Sequence, residues 1–530
     1  MRSGLIAALL TCMFATPLAA QQLAAEQILH KGNGAEPQSL DPHKAEGVPS
    51  SNIMRDLYEG LTSEAPNGDV IPGAASRWDI SADGTEYVFH LRPQARWSNG
   101  DPVVAEDFVV GLRRSADPAT LSHYSQILSS IKNAEAVTAG QVPPEELAVE
   151  ALDDHTLKIV LKAPTPYFLG LLNHSSTFPI NRRAYQEHGA RFARVGNLVG
   201  NGAYRLKDWV VQSHIELERN PLYWDNANTT IERVYYHATE DQSSELKRYR
   251  AGELDWTHEV PLNQVRWIRE NLNDEFYVST YLGTYYYGFN LTQPPFKANR
   301  TLRRALSMAI DREILVNKVT RLGEQPAYSW VPPGISHYAA QVPEWASWPQ
   351  EKKLAEARRL YAEAGYSKDK PLHIELRYNT SENHKKVAIA VAAMLKQSLG
   401  VRVNLINQEW KVFLETRKQK RVTELFRAGW IGDYNDAYTF SELLHSKHGI
   451  NDQGYNNPEY DALLEQASVE GDFDKRRALL EKAERLMLED QPIMPIYFYV
   501  NKRLVKPYVA GFEPNIMDHH YTKNMRILAH

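Results

Sequence analysis

The chain has 530 residues, of which 43% are hydrophobic, 24% charged and 10% aromatic, a globular composition that excludes disorder, collagen-like repeats and coiled coil. Its 60 Lys and Arg against 65 Asp and Glu give a formal charge of -5, so there is no cationic excess to condense on phosphates, and no nucleic-acid partner is expected. At roughly 150 residues per domain the length suggests about three lobes.

Residues 1–20 differ in kind from the rest. Arg2 precedes an apolar stretch, Leu5 to Leu10, that continues through Met13 and Phe14 and ends in Pro17-Leu18-Ala19-Ala20. This pattern predicts a signal peptide cleaved after Ala20, which places the mature chain in the periplasm. The apolar run is too short to span a bilayer, and no later uncharged stretch of about 18 residues follows. Cys12 is the only cysteine, and Thr11 stands before it where a lipid-attachment site would have a smaller residue. The mature chain therefore has no thiol, which excludes disulfides, thiolate metal sites and a cysteine nucleophile.

Further along, residues 85–92 alternate Tyr87, Phe89 and Leu91 on one face after the turn pair Asp83-Gly84, which predicts a half-buried strand entered from a hairpin. Asn99-Gly100 marks a second turn, and residues 157–161 alternate again. From residue 285 the rhythm becomes strand then helix, and the shift marks a domain boundary. The clearest unit spans 372–406. Leu372, Ile374 and Leu376 predict a strand, Ser381 caps a helix carrying Val387, Val391, Met394 and Leu395, Gly400 closes it, and Val401, Val403 and Leu405 predict the next strand. Such a crossover implies a parallel sheet, whose ligands lie beyond the carboxyl ends of the strands. Three such ends place His384, Trp410, Arg417, Arg427 and Asp433 near one rim.

Catalytic motifs are absent. There is no Gly-x-Ser-x-Gly elbow, no His-Glu-x-x-His helix and no Gly-x4-Gly-Lys-Ser/Thr loop. The glycines of VGNLVGNGAY precede a strand-like run, so they predict a tight turn rather than a phosphate loop. His445 with His448, and His519 with His520, lack the further ligands that a metal site requires. No cofactor and no metal are expected. The 28 Tyr and 11 Trp suit surfaces that grip varied ligands, although any single one also reads as core.

Long segments carry a resemblance: NGAEPQSLDPHKAEGVPSSNIMRDLYEGL, RWDISADGTEYVFHLRPQARWSNGDPVVAEDF, NGAYRLKDWVV, LERNPLYWDNA, QPIMPIYFYV and RLVKPYVAGF. In matching order over essentially the whole mature chain they resemble the periplasmic peptide-binding proteins of ABC importers, oligopeptide-binding proteins above all. The resemblance implies an α/β, type II-like bilobal fold with a hinge and an extra lobe in the first third. The implied division is 21–58, 184–284 and 500–530 in the first lobe, 59–183 in the extra lobe and 285–499 in the last. It also implies a monomeric receptor, not an enzyme, that closes on short peptides with a free α-amino terminus and hands them to an inner-membrane ABC permease. A murein tripeptide receptor and a non-peptide carrier on the same scaffold are the alternatives within the class. An enzyme using paired carboxylates such as Glu46 and Asp433 is the alternative outside it.

Site residues follow from the same resemblance. Asp433, in AGWIGDYND, is implied to pair with the peptide ammonium. The segments around Glu46 to Val48 and Gly429 to Ile431 are implied to pair with its backbone, and Tyr124 to lie near its first residues. Trp410 and Trp430 are implied to line side-chain pockets, while Arg417, Arg427 and His384 are implied to receive the terminal carboxylate. Gly283 and Ile431 stand where enteric relatives carry a cysteine pair. His258 and Glu259 replace amides, and RKQKRVTELFR is one residue longer between its arginines, which leaves the preferred peptide length open.

Overall fold

The computed structural model describes residues 22–335 and 338–530. The expected signal peptide and Cys12 lie outside the described residues.

The first sheet has four strands in the order Ile28–Gly32, Arg233–His237, His214–Arg219 and Tyr204–Val210. The outermost pair, 28–32 with 233–237, is parallel, and the other pairings are antiparallel. Alternation orients it: Ile215 and Leu217 point into a core with Leu29, Val234 and Tyr236, while Glu216 and Glu218 face away from it. The C-terminus returns to this sheet. Ala24 N donates to Ile527 O at 2.9 Å, and the Gln27 amide exchanges two hydrogen bonds with the Ile527 backbone at 2.8 and 2.9 Å.

A second four-stranded sheet, fully antiparallel, runs Ala75–Ile80, Glu86–Leu91, Thr156–Val160 and Val149–Asp153. The expected hairpin is present: Gly84 takes φ 71°, and Tyr87, Phe89 and Leu91 are buried. Helix Ala105–Ala116 covers this sheet with Phe108, Val109 and Leu112. Asp107 anchors the helix by accepting from Trp97 Nε1 at 2.9 Å and Val104 N at 3.0 Å.

The third sheet has six strands, in the order Gln325–Pro326, Ile493–Leu504, Phe276–Phe289, Leu425–Ile431, His373–Asn379 and Arg402–Gln408. The crossover read from residues 372–406 is present with its signals: the Ser381 hydroxyl accepts from His384 N, helix Glu382–Leu399 follows, and Gly400 ends it in the left-handed region. Strands His373–Asn379 and Arg402–Gln408 pair in parallel.

The boundary expected at residue 285 falls inside one continuous strand, Phe276–Phe289. That strand pairs with Ile493–Leu504 from Phe276 opposite Leu504 to Gly288 opposite Ile493, with a register shift between Thr280 and Thr284. Two paired strands thus run from beside the first sheet into the third. Residues 284 and 498 are opposite one another, so the boundary read near residue 285 and the one that the resemblance implies near 500 lie close to one level of the ladder. A bulge at such a place loosens pairing and permits bending.

Candidate ligand-binding cleft

Between the sheets lies a cleft with about 1780 Å³ of space, open solvent at its mouth included. All eleven residues singled out in the sequence line it: Glu46, Val48, Tyr124, His384, Trp410, Arg417, Arg427, Gly429, Trp430, Ile431 and Asp433. They arrive from all three regions of the chain. Strand Leu425–Ile431 supplies the middle of one wall. It pairs with His373–Asn379 only at Leu425 and Phe426, yet with Phe276–Phe289 as far as Ile431. Its edge from Arg427 to Ile431 therefore has no neighbouring strand on one side, as strand addition by an extended ligand requires. Gly429 is needed there, since a Cβ would run into the Tyr499 phenol.

The opposite wall differs from the extended segment expected at Glu46 to Val48. Val48 opens helix Val48–Leu57, with Pro49 in its first turn and Gly47 at φ 81° before it. Proline fixes φ for a helix start, so only the residues before Val48 can offer extended backbone. Glu46 is already engaged, by Lys418 at 2.7 Å.

Asp433 is a carboxylate of the lining that no Lys or Arg pairs with among the described residues, as are Glu240 and Glu259 at other points of it. Its side chain is 13% exposed, its backbone N–H is held by Thr439 Oγ1 at 3.1 Å, and the nearest ionisable partner is His174, with Nε2 3.6 Å from Oδ1. That imidazole does not supply charge. Its Nδ1 accepts from Ser176 N at 3.2 Å, and burial, with Arg55 and His519 nearby, pushes it down to about 3. Burial pushes the Asp433 carboxyl up to about 7, opposed only by Arg55. A carboxylate in this position stays charged at low cost only when a cation is brought to it.

Arg427 is the converse. Its Nη2 donates to Tyr499 Oη at 2.5 Å and its Nη1 to Asn379 Oδ1 at 3.2 Å. The guanidinium lies over the Tyr285 ring, 4.8 Å from the centroid. No carboxylate pairs with it among the described residues. Arg417, expected in the same role, is neutralised: its Nε lies 2.9 Å from Asp452 Oδ2, both side chains being less than one-tenth exposed. That Nε is out of line for a hydrogen bond, so the pair is held by charge. His384 sits in the first turn of helix Glu382–Leu399 with Nδ1 enclosed and unpartnered, and burial beside Arg427 holds its ring well below the usual imidazole range.

The aromatic walls follow the same division. Tyr124 lies 4.6 Å from the His174 ring and 6.3 Å from Trp430. Trp430 Nε1 donates to Thr439 O at 2.7 Å, whereas Trp410 Nε1 has no partner and its ring faces Gly47. Gly283 and Ile431 are direct cross-strand partners, and the Ile431 side chain occupies the space where a Gly283 side chain would stand. Among cleft residues that sequence reasoning missed are His174, Arg55, Tyr281 and Tyr499. The first two sit in a short 3-10 turn region and in the last turn of a helix, and neither carries a motif.

No group of three His, Cys, Asp or Glu suited to a metal occurs among the described residues, and no helix there is long and apolar enough to cross a membrane.

Sheets joined by a pair of long strands around a cleft of mixed polar and apolar lining define a two-lobed solute-binding protein. The profile of the bacterial extracellular solute-binding proteins, family 5, matches residues 69–452, and the chain belongs to that family. It is similar to the periplasmic oligopeptide-binding protein OppA of Escherichia coli, 44% identical over 100% of this chain and 98% of the relative. The Haemophilus influenzae OppA complex with RPPGFSPFR superimposes with a TM-score of 0.94 at 42% identity, covering 96% of this chain and all of the other. The Escherichia coli murein tripeptide binding protein MppA is 41% identical in sequence. It superimposes with a TM-score of 0.93 over 96% of this chain and all of its own in one structure. In its unliganded open form the TM-score is 0.66. The lobes here therefore stand in the closed arrangement.

Proposed function

We propose that this protein is the periplasmic receptor of an ABC importer, which closes around short peptides and delivers them to an inner-membrane permease. The observation that carries the reading is the separated pair of unmatched charges, Asp433 without a cation and Arg427 without an anion, in one buried cleft. A zwitterionic chain supplies both partners: its α-ammonium goes to Asp433 and its terminal carboxylate to Arg427, with His384 beside it. Burying either group unpaired costs kilocalories, and the two fits together favour closure. The free edge from Arg427 to Ile431 receives the ligand backbone, while Tyr124, Trp410 and Trp430 line space for side chains. This recognition is indifferent to most side chains, because it addresses groups that every peptide has. Arg417, held by Asp452, and Glu46, held by Lys418, shape the walls.

The lobe division proposed is 21–58, 184–284 and 500–530; 59–183; and 285–499, with the paired strands near residues 284 and 498 as the hinge. The relatives are solute-binding proteins, and a binding role without catalysis accounts for the cleft.

The test is to purify the protein from its native periplasm and release its cargo for mass spectrometry. A ladder of masses fitting mixed tri- to pentapeptides is expected. A single non-peptide species would overturn the reading, and a single murein tripeptide would narrow it to cell-wall recycling.

A further inference from the structure

Asp518 stands in the left-handed region at φ 56°, a conformation that few residues other than glycine adopt, and strain of this kind gathers at working sites. The turn around it is over-determined. Asp518 N donates to Asn515 O at 3.2 Å. The buried Asn515 amide accepts from His519 N at 3.2 Å and donates to His519 O at 2.9 Å and to Pro66 O at 3.1 Å. The Asp518 carboxylate is itself taken up by Arg503 and His520. What the turn delivers to the cleft lining is the ring of His519.

That ring is fixed from one side. Its Nδ1 lies 2.9 and 2.8 Å from the two carboxylate oxygens of Glu64, which is 4% exposed, is not part of the lining and also accepts from Tyr521 Oη at 3.2 Å. Burial works against ionisation of Glu64, but His519 beside it holds the carboxyl below its ordinary range. An ionised carboxylate only accepts, so Nδ1 carries a proton. Burial, with Arg55 nearby, keeps the ring itself below the usual imidazole range, which leaves Nε2 with a lone pair. Among the described residues no donor reaches Nε2. Backbone bonds locate the ring along the cleft: Leu282 N donates to Ile516 O and Leu282 O accepts from Gly432 N, each at 2.9 Å. The segment from Ile516 to His519 therefore lies beside Gly432 and Asp433, at the end assigned above to the ligand ammonium. We propose, resting on the peptide reading above, that His519 Nε2 is an acceptor subsite for the side chain of the peptide's first residue and favours Ser or Thr there, whose β-hydroxyl is the side-chain donor closest to the ammonium. Glu64 is the positioning residue that fixes the tautomer.

The experiment is calorimetric titration of Ala-Ala-Ala, Thr-Ala-Ala, Val-Ala-Ala, Ala-Thr-Ala and Ala-Val-Ala into the ligand-free protein and into His519→Leu. Thr and Val share a shape and differ by a hydroxyl for a methyl. Wild type is expected to bind Thr-Ala-Ala about 2- to 10-fold more tightly than Val-Ala-Ala, the range for a hydrogen bond between neutral groups, with no such gain for Ala-Thr-Ala over Ala-Val-Ala. In His519→Leu the first ratio is expected to fall to about one or below. Equal or weaker wild-type binding of Thr-Ala-Ala would overturn the proposal, whether or not the variant folds. So would a gain confined to the second position, or one that persists in His519→Leu. Failure of Ala-Ala-Ala itself to bind would instead overturn the peptide reading on which the proposal rests.

Discussion

At the scale of single residues, Asp433 and Arg427 are each unfavourable in the empty closed cleft and favourable once a ligand completes them. Replacing Asp433 by Asn keeps the shape and removes the charge that an ammonium needs. The expected loss is about 2–5 kcal/mol, roughly 30-fold or more in Kd, measured by calorimetry with a tripeptide. An unchanged Kd would show that the ammonium binds elsewhere. Arg427→Met should cost a similar amount with free peptides and much less with C-terminally amidated ones. The pH dependence follows from the Asp433 carboxyl, raised in the empty folded protein to about 7 from an ordinary 3.8. Between those values the folded state holds a proton that the unfolded chain has released, so this group's contribution to stability falls as pH rises through the window. An ammonium removes that penalty. Binding below about pH 7 should therefore release a proton, visible as a buffer-dependent enthalpy, and the ligand-induced rise in Tm should be larger near pH 7.5 than near pH 5.5.

Among the elements, the crossover at 372–406 was legible because its signals are local: alternation on each strand, a serine cap and a closing glycine. The hairpin before Tyr87 was legible for the same reason. The strand Phe276–Phe289 was not, since its first half pairs only with Ile493–Leu504 while its second half is also flanked by Leu425–Ile431, and its register shifts depend on the partner strand as well as on its own residues. The return of the C-terminus to Ala24 and Gln27 came from resemblance, because no local pattern encodes a contact between ends of the chain. At the site, Asp433 and the arginines were reached through motif context, whereas the pairing of Arg417 with Asp452 depends on a loop that only the fold brings near. The register opposing Gly283 to Ile431 carries its own prediction. Antiparallel partners place Cα atoms about 4.5–5.5 Å apart, within disulfide range. The double variant Gly283→Cys with Ile431→Cys should oxidise to a bond and raise stability by about 2–4 kcal/mol, checked by thiol titration and by Tm with and without reductant. Two titratable thiols persisting under oxidising conditions would place the strands in another register.

For the whole molecule, closure joins the lobes by direct contacts as well as through the ligand. Tyr167 stacks on Tyr434 at 4.4 Å with an interplanar angle of 4°, and Gln126 Nε2 donates to Lys447 O at 3.1 Å. On the other side Gln242 Nε2 donates to Ser381 Oγ at 3.0 Å, and Asn383 Nδ2 to Glu259 Oε2 at 3.1 Å. On the lobe division proposed above these contacts cross from lobe to lobe, so opening would break them whatever the ligand. Tyr167→Ala should therefore weaken all peptides alike, by about 2- to 10-fold for a lost aromatic pair. Two tripeptides of unlike sequence, titrated in parallel, check this; a change in their ratio would mean that Tyr167 reads the ligand.

In the proposed function the closed cleft selects its ligand by both termini at once. That selection is tested most directly by comparing trialanine with its N-acetyl and C-terminal amide forms in one calorimetric series. Acetylation is expected to cost roughly 30-fold or more through Asp433, and amidation a comparable amount through Arg427. Equal binding of the free and N-acetylated peptides would contradict it.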